Sequence, residues 1–298
     1  MSLLTSAPVS ELAVELLARQ LVLPATINRV PQSEYRGPSG GTVTIAVPQP
    51  RDAREQESRA AAIDYDALSE VGVDVTVKHY YSGALCSDEE VSLDLRDFGR
   101  QVLVPQVEAV ARAAEDEVAD VLNSITAYEG AEWASDDEDP AAADIETILA
   151  VRAQLTDNGV PAADRWCACS PSIANRMLAN PRFVEADKRG SANALESAEI
   201  GTLYGIRFVE SPAIDEGTAV FYHRSGIVLG TMPPVAPGGG ADSSTAEAGG
   251  ITLRVVVAFD AGHLATAVVT SVFAGCSLVP ENTEGTTIKR AIKVVTGT

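Results

Sequence analysis

The sequence predicts a mixed α+β protein, and three features carry this prediction. Thr42–Pro48 and residues 71–81 both alternate apolar with polar positions, which predicts the two strands of a long hairpin. Residues 93–127 have apolar side chains at the spacing of one long amphipathic helix. Residues 251–259 and 264–273 form two apolar runs joined by a short polar turn, which predicts a closing pair of strands.

Length, charge and cysteine content exclude several classes of protein. The 298 residues are enough for one large domain or two modest ones with a buried core, and a hydrophobic fraction of 46% excludes wholesale disorder. Twenty-two basic against 42 acidic residues give a net charge of −20, whereas a conventional nucleic-acid binder needs a basic surface. Four cysteines are too few for a disulfide framework in a chain of this length.

No targeting or membrane segment is expected. The amino-terminal residues lack a basic stretch followed by an apolar one, so a secretory signal is not predicted. The most apolar region, residues 251–274, is interrupted by Arg254, Asp260 and His263, and it therefore does not qualify as a membrane span. We expect a soluble protein made in the cytoplasm, with no membrane partner.

The first predicted element is a short amphipathic helix over residues 10–23, which ends at Pro24. Leu12 and Leu16 lie on its apolar face, and prolines and glycines follow it as a connector. An isolated helix of this length is marginal in water. We therefore expect this arm to pack on a foreign surface through Leu12 and Leu16.

The hairpin poses the same problem on a larger scale. One face carries Val43 and Ile45 on the first strand and Val73, Val75, Val77 and Tyr81 on the second. The longer strand would reach about 35 Å, and a lone hairpin of that length is barely stable. The helix that follows could cover only its base, so we expect these six side chains to contact a neighbouring copy of the chain.

The long helix has one continuous apolar stripe and a proline in its first turn, which a helix tolerates. The stripe consists of Leu103, Val107, Val110, Ala114, Val118, Val121 and Ile125. An acidic linker at 129–146 and a second helix at 141–155 are predicted to follow. Beyond them we expect strands at 165–170, 207–211, 219–223 and 287–295, helices at Pro171–Ala179 and 181–188, and a flexible loop at 233–250.

No catalytic, cofactor or metal site is predicted. Cys167 and Cys169 are too close together for a zinc knuckle and lack a second pair of ligands, so we interpret them as small buried hydrophobes. The three histidines have no carboxylate or cysteine partner nearby in the sequence, and we interpret them as structural. A cytosolic enzyme that uses Cys167, Ser170 or His223 is the alternative from another class.

Five blocks of sequence carry a resemblance to a known family. They are Leu21-Val-Leu-Pro-Ala-Thr-Ile-Asn-Arg29, Gly41-Thr-Val-Thr-Ile-Ala-Val-Pro48, residues 92–105, residues 192–211 and residues 251–273. Within the fourth block, Ala194-Leu195, Ile200-Gly201 and Leu203-Tyr-Gly-Ile206 follow the family's pattern, and Glu199 departs from it. In order and spacing these blocks resemble the major capsid proteins of tailed bacteriophages with the Hong Kong 97-like fold. The arm and hairpin at the start are most similar to the coat proteins of short-tailed phages.

The resemblance implies four parts. Residues 1–32 would form an N-terminal arm and residues 33–90 an extended E-loop hairpin. Residues 91–128 and 251–298 would form a peripheral domain with a long spine helix, and residues 129–250 an axial domain.

The resemblance also implies a function and partners. The chain would assemble with itself into homo-pentamers and homo-hexamers, forming an icosahedral virion shell around packaged double-stranded DNA, without a cofactor. We expect a portal protein at one vertex and a separate scaffolding protein, because only about 40 residues precede the hairpin; a decoration protein is a further partner that the resemblance allows. Lys78 is the only lysine in the E-loop, and covalent crosslinking is not predicted. An encapsulin-like shell around an enzyme and a tail or connector protein that forms rings or tubes are the alternatives.

Overall fold

The computed structural model describes residues 22–30, 36–39, 41–48, 55, 70–87, 102–133, 140–180, 201–238, 242–248, 251–280 and 288–297. Within these ranges the helices are α1 (Leu23–Thr26), α2 (Val104–Asn123), α3 (Pro140–Asp157) and α4 (Pro171–Ala179). The strands are β1 (Asn28–Val30), β2 (Arg36–Ser39), β3 (Thr42–Pro48), β4 (Glu70–Thr76), β5 (Lys78–Ser87), β6 (Arg165–Cys169), β7 (Thr202–Leu203), β8 (Ile206–Glu210), β9 (Thr218–His223), β10 (Ile227–Met232), β11 (Asp242–Ala248), β12 (Ile251–Asp260), β13 (Ala265–Leu278) and β14 (Ala291–Val295). The mixed α+β class predicted from the sequence is confirmed.

The larger sheet is built around β13, the longest described strand. Its order is β1-β10-β13-β12-β11, and β5 also pairs with β13. The closing pair of strands is antiparallel, with Arg254 opposite Ser271 and Asp260 opposite Ala265. The predicted pair at 251–259 and 264–273 is therefore present, and β13 continues five residues further than expected.

Helix α2 packs its apolar stripe on one face of this sheet. Val107, Val110 and Val118 are buried together with Val255, Val268 and other sheet residues in one core. At 1.5 Å per residue its 20 residues span about 30 Å. Two polar residues of α2, Gln106 and Glu117, are also buried. The Gln106 side chain donates to the Val268 carbonyl and accepts from the Thr270 hydroxyl at 3.1 and 3.2 Å. The long helix predicted from the apolar stripe is confirmed over Val104–Asn123.

A second core forms around the smaller sheet, whose order is β14-β9-β6-β8-β7. Trp133, Ile148 and Phe221 are fully buried in it, together with α3 and α4 side chains. Arg165, at the start of β6, donates to the carbonyls of Val160 and Pro161 at 2.6 and 2.8 Å. These hydrogen bonds tie β6 to the loop that follows α3.

The two cores meet at the end of α2. The Asn123 side chain donates to the Ala213 carbonyl and accepts from the Asp215 amide, both at 3.1 Å. The Lys293 ammonium, on β14, donates to the Asn123 carbonyl at 2.7 Å. A cation at a helix carboxyl end also interacts favourably with the helix dipole. The position of α2 is therefore coupled to the second sheet.

Several strands differ from the prediction. The expected loop at 233–250 contains β11, which pairs with β12 from Asp242 to Ala248. As the end strand of the sheet it is held by backbone hydrogen bonds, so its sequence needs no apolar alternation. Strand β10 was not predicted, because a run of consecutive apolar residues lacks a strand period. The expected helix at 181–188 lies outside the described residues.

The sheets also cross the expected domain boundaries. Strands β10 and β11 belong to the larger sheet, although both lie in the range assigned to the axial domain. Strand β14 pairs with β9 in the smaller sheet, although its residues were assigned to the peripheral domain. Strand β5 pairs with β13 over ten residues, so the second half of the expected E-loop is part of the larger sheet.

The expected hairpin is present, with one interruption. Strands β3 and β4 pair antiparallel with Ile45 opposite Val73, and β2 adds a third strand. The predicted continuous strand over 71–81 breaks at Val77, where the chain passes from this small sheet into β5. At the break the backbone crosses β13 so closely that a methyl group at Gly275 would overlap the Thr76 carbonyl oxygen.

We expect Gly275→Ala to lower the free energy of unfolding by about 1–3 kcal/mol, because the backbone at Thr76 must move away from the sheet. Urea denaturation of the purified subunit measures this effect. Gly238→Ala is the matched control, since a methyl group there meets nothing within 4 Å. Equal stability of the two variants would contradict the proposed close crossing.

Candidate functional site

The base of the hairpin rests on its own chain. Val43, Ile45, Val73 and Val75 are buried in a cluster with Val30, Val228 and Val279. Val228 lies on β10, so the hairpin covers part of the sheet face opposite α2. Val77 is half-buried beside the same cluster. Val43, Ile45, Val73 and Val75 therefore need no neighbouring copy to cover them, because β10 and the chain around it do so, and their contact with another subunit stays a prediction.

Strand β5 carries the exposed continuation of the hairpin. Its alternate residues Tyr80, Ala84 and Cys86 face the α2 core. Tyr81 and Leu85 face the other way and are 71% and 50% exposed. The His79 ring lies between Tyr81 and Phe273, with ring centroids 5.9 and 4.6 Å away. Among the predicted contact residues that the structure describes, Tyr81 is therefore the one whose side chain is mostly exposed at the surface of the subunit.

Glu117 on α2 holds the point where the hairpin joins the larger sheet. This carboxylate is buried, and its Oε1 accepts from the Lys78 ammonium at 2.5 Å and from the Tyr80 hydroxyl. Burial, and then the hydrogen bond to Glu117, raise the pKa of Tyr80 above its usual value. The hydrogen bond to Glu117 likewise raises the pKa of Lys78. The tyrosine stays a neutral donor and the lysine a cation at neutral pH.

Glu115 holds the point where the N-terminal segment joins the body. Its Oε2 accepts from the Val22 amide and its Oε1 from the Leu23 amide, both at 3.1 Å. The Ser211 hydroxyl adds a third donor at 3.3 Å. Burial raises the pKa of Glu115, and the hydrogen bonds from Leu23, Val22 and Ser211 oppose that rise. A cavity of about 320 Å³ opens beside this carboxylate.

Neither glutamate is predicted as a site residue from the sequence. They lie in an acidic stretch of helix and resemble solvated surface charges. The spacing did hold a signal for Glu117, which lies three residues after Ala114, on the buried stripe. A carboxylate at such a position needs hydrogen-bond partners, since an unpaired buried charge is costly. Glu115 had no such signal, because its partners are backbone groups distant in sequence.

The remaining predicted contact residues, Leu12 and Leu16, lie outside the described residues and stay predictions. Where residue 22 enters the structure, α1 packs Leu23 and Ile27 into the α2 core. The arm is therefore attached next to Glu115, wherever its first residues lie.

The residues that the alternative enzyme would use, Cys167, Ser170 and His223, are each buried or hydrogen-bonded to neighbouring side chains. Cys167 and Cys169 are fully buried in the second core, and burial raises the pKa of both thiols. Their interpretation as small buried hydrophobes is confirmed. The buried Ser170 hydroxyl lies 3.0 Å from that of Ser172. His223 Nδ1 accepts from the Ser225 amide at 3.2 Å and lies 2.8 Å from the Ser225 hydroxyl.

One histidine departs from the expectation. His263 lies in the turn between β12 and β13, and its Nδ1 is 2.7 Å from Asp260 Oδ2. The statement that no histidine has a nearby carboxylate partner is therefore wrong for this one. The pair is exposed, and the Asp260 side chain also accepts from the Gly262 amide at 2.8 Å. These contacts shape the turn.

Within the described ranges, no group of three or more histidine, cysteine, aspartate or glutamate side chains is placed to hold a metal ion. No helix in that part of the chain has both the length and the apolar character needed to cross a lipid bilayer.

Comparison with known proteins adds independent findings. The family profile described as "Phage capsid protein" matches residues 70–271. No curated protein matches the chain at a significant level. The chain is similar to a solved structure described as "Mycobacterium phage Che8", with a TM-score of 0.61 and 20% identity, covering 92% of this chain and 91% of that one.

Two other solved structures extend the likeness. The capsid structure of the cyanophage P-SCSP1u has a TM-score of 0.60 and 14% identity, covering 91% of this chain and 86% of that one. The virus-like particle from Pyrococcus furiosus has a TM-score of 0.51 and 11% identity, covering 98% of this chain and 99% of that one.

These structures show a capsid fold of the Hong Kong 97-like type over nearly the whole chain. The family profile spans more than half of the sequence, and the chain belongs to the phage capsid protein family. As a member of this family it is a structural subunit of a phage capsid rather than an enzyme.

We expect acidification to destabilise the subunit through His223. Burial, and then the Arg290 charge, lower the pKa of this imidazole below 6.5. The unfolded state therefore binds the proton more readily, and the stability present above pH 6.5 is lost as pH falls towards the lowered pKa.

Urea denaturation at several pH values between 5 and 7.5 measures this loss. His223→Asn supplies a side-chain acceptor for the Ser225 amide without titrating, so its stability should fall less on acidification. An identical decline in both proteins would show that His223 does not contribute.

Proposed function

We propose that this subunit assembles into homo-pentamers and homo-hexamers that close into a shell around packaged double-stranded DNA. The family match over residues 70–271 carries this proposal, because it spans the second hairpin strand β4, the long helix α2 and most of the larger sheet. In such a lattice many modest contacts add up, so each one can be weak.

We also propose which residues and sheets form the arm, the E-loop, the peripheral domain and the axial domain of the subunit. Residues 1–32 are the arm and 33–90 the E-loop, whose second half also completes the larger sheet. The larger sheet with α2 is the core of the peripheral domain, and the smaller sheet with α3 and α4 is that of the axial domain. The two separate hydrophobic cores support this division.

Tyr81, Leu12 and Leu16 are the proposed contacts between subunits. The support for Tyr81 is its exposure on a strand that leads directly from the hairpin. Tyrosine is often a residue that contributes strongly to protein interfaces, since its ring buries a large area with little loss of side-chain entropy.

Tyr81→Thr should reduce the yield of closed shells about tenfold while changing the free energy of unfolding by less than about 0.5 kcal/mol. Threonine preserves the strand preference of the site. Ile45→Ala is the contrasting variant, because this buried side chain should cost about 2–4 kcal/mol of subunit stability. Shell yield is measured by sedimentation, and an unchanged yield for Tyr81→Thr would remove Tyr81 from the interface.

The net charge of −20 on each subunit opposes assembly. Salt screens that repulsion over a Debye length of about 8–10 Å at physiological ionic strength. We therefore expect light scattering to show faster and more complete assembly as NaCl rises from about 50 to 300 mM. Shells that dissociate on addition of monovalent salt would contradict this expectation.

The contents of purified particles separate the main proposal from its alternative. A capsid holds DNA, whereas an encapsulin-like shell encloses a protein cargo. We also propose that acidic side chains line the inner surface, which would keep packaged DNA from binding tightly. A basic lining in the assembled shell would refute this.

Partners beyond the subunit itself follow from the family resemblance. We propose a separate scaffolding protein, a portal protein at one vertex and, in some particles, a decoration protein. A closer relationship to the coat proteins of short-tailed phages rests on the arm and hairpin over residues 1–81. Assembly trials with and without the candidate scaffolding protein test the first of these partners.

A further inference from the structure

One turn of α2 binds both extended segments of the subunit. Glu115 and Glu117 are two residues apart, so their side chains point about 200° apart around the helix axis. Glu115 accepts from the amides of Val22 and Leu23, where the N-terminal segment joins the body. Glu117 accepts from Lys78 and Tyr80, where the hairpin joins it.

We propose that these two carboxylates are positioning residues that fix the directions in which the N-terminal segment and the hairpin leave the subunit, and so keep assembled shells uniform in size. The inference rests on the proposed function, since these directions matter to assembly only if both segments contact neighbouring copies.

The geometry at Glu115 is suited to fixing a direction. Helix α1 begins without a side-chain cap from its own residues, so its first amides need an external acceptor. The two oxygens of one carboxylate bind two consecutive amides, which holds the orientation of that peptide as well as its position. Hydrogen bonds to a charged acceptor are stronger than those between neutral groups. Ser211, from the segment after β8, braces the same carboxylate.

The geometry at Glu117 fixes the other segment. Lys78 directly follows Val77, the residue at which the chain leaves the hairpin sheet for β5. Two donors from β5 meet one oxygen of a buried carboxylate on α2. The close crossing at Gly275 limits the same stretch of backbone from the sheet side. The hairpin is thus held on both sides at its point of departure.

Asp116 lies between the two glutamates in the sequence and provides a matched control. Its side chain is exposed, and it lies in the same turn of α2 as the two glutamates. Replacing each of the three acids by methionine places the same good helix former without charge at every position.

Hydrogen–deuterium exchange of the unassembled subunit is the first test. Glu115→Met should speed exchange of the amides of residues 22–27 about tenfold and leave those of 78–82 unchanged. Glu117→Met should give the reverse pattern, and Asp116→Met should change neither. Glu115→Gln, which keeps the side-chain volume but only one acceptor oxygen, gives the answer if the methionine variant does not fold. Equal changes in both segments, or none, would overturn the proposal.

Electron microscopy of assembled material is the second test. Wild type and Asp116→Met should form closed shells of one size, whereas Glu115→Met and Glu117→Met should give mixed sizes and open shells at nearly wild-type subunit stability. Uniform shells from both glutamate variants would overturn the proposal. If wild type itself formed no shells even with its scaffolding protein, the proposed function would fail, and the exchange experiment would still decide whether each carboxylate holds its segment.

Discussion

The packing of helix α2 against the larger sheet is the interaction on which the other features depend. Its apolar stripe buries against β12 and β13 and forms the main core. The same helix binds the N-terminal segment through Glu115, the hairpin through Glu117 and the second sheet through Asn123. A long helix can do this because its faces present different side chains along one rigid axis. Displacing α2 would therefore disturb every extended part of the subunit at once.

The hairpin and the strand that continues from it have one apolar surface buried within the subunit and another exposed to solvent. The valine-rich base of the hairpin is buried on β10 and belongs to the fold of the single chain. Beyond Val77, Tyr81 and Leu85 leave large apolar areas open on β5. A neighbouring copy is therefore not needed to cover the base of the hairpin, although the sequence predicts an uncovered apolar face along its whole length. Membership of the capsid family rests instead on the family profile and the shared fold, which are independent of that prediction.

The elements that were predicted correctly are those in which the pattern of apolar residues along the sequence matches the pattern of burial. Helix α2 and strand β12 have strong apolar periodicity, because one face of each is buried and the other is more exposed. Prediction failed where that link is absent. Strand β11 is held by backbone pairing with β12, and β10 has consecutive apolar residues because it lies inside the sheet. The break at Val77 arises because β4 and β5 join different sheets. It could not be predicted, because apolar and polar residues alternate in the same way on both sides of the break.

The sequence by itself determined the α+β class, the long helix, the closing strands and the resemblance to phage capsid proteins. Local periodicity and the order of motifs are enough for these, because each is a property of neighbouring residues. Only the tertiary structure decided that the base of the hairpin covers its own sheet and that Glu115 and Glu117 hold the two extended segments. Those contacts join residues more than thirty positions apart in the chain. Whether a charged side chain is solvated or paired therefore depends on which distant residues the fold places next to it.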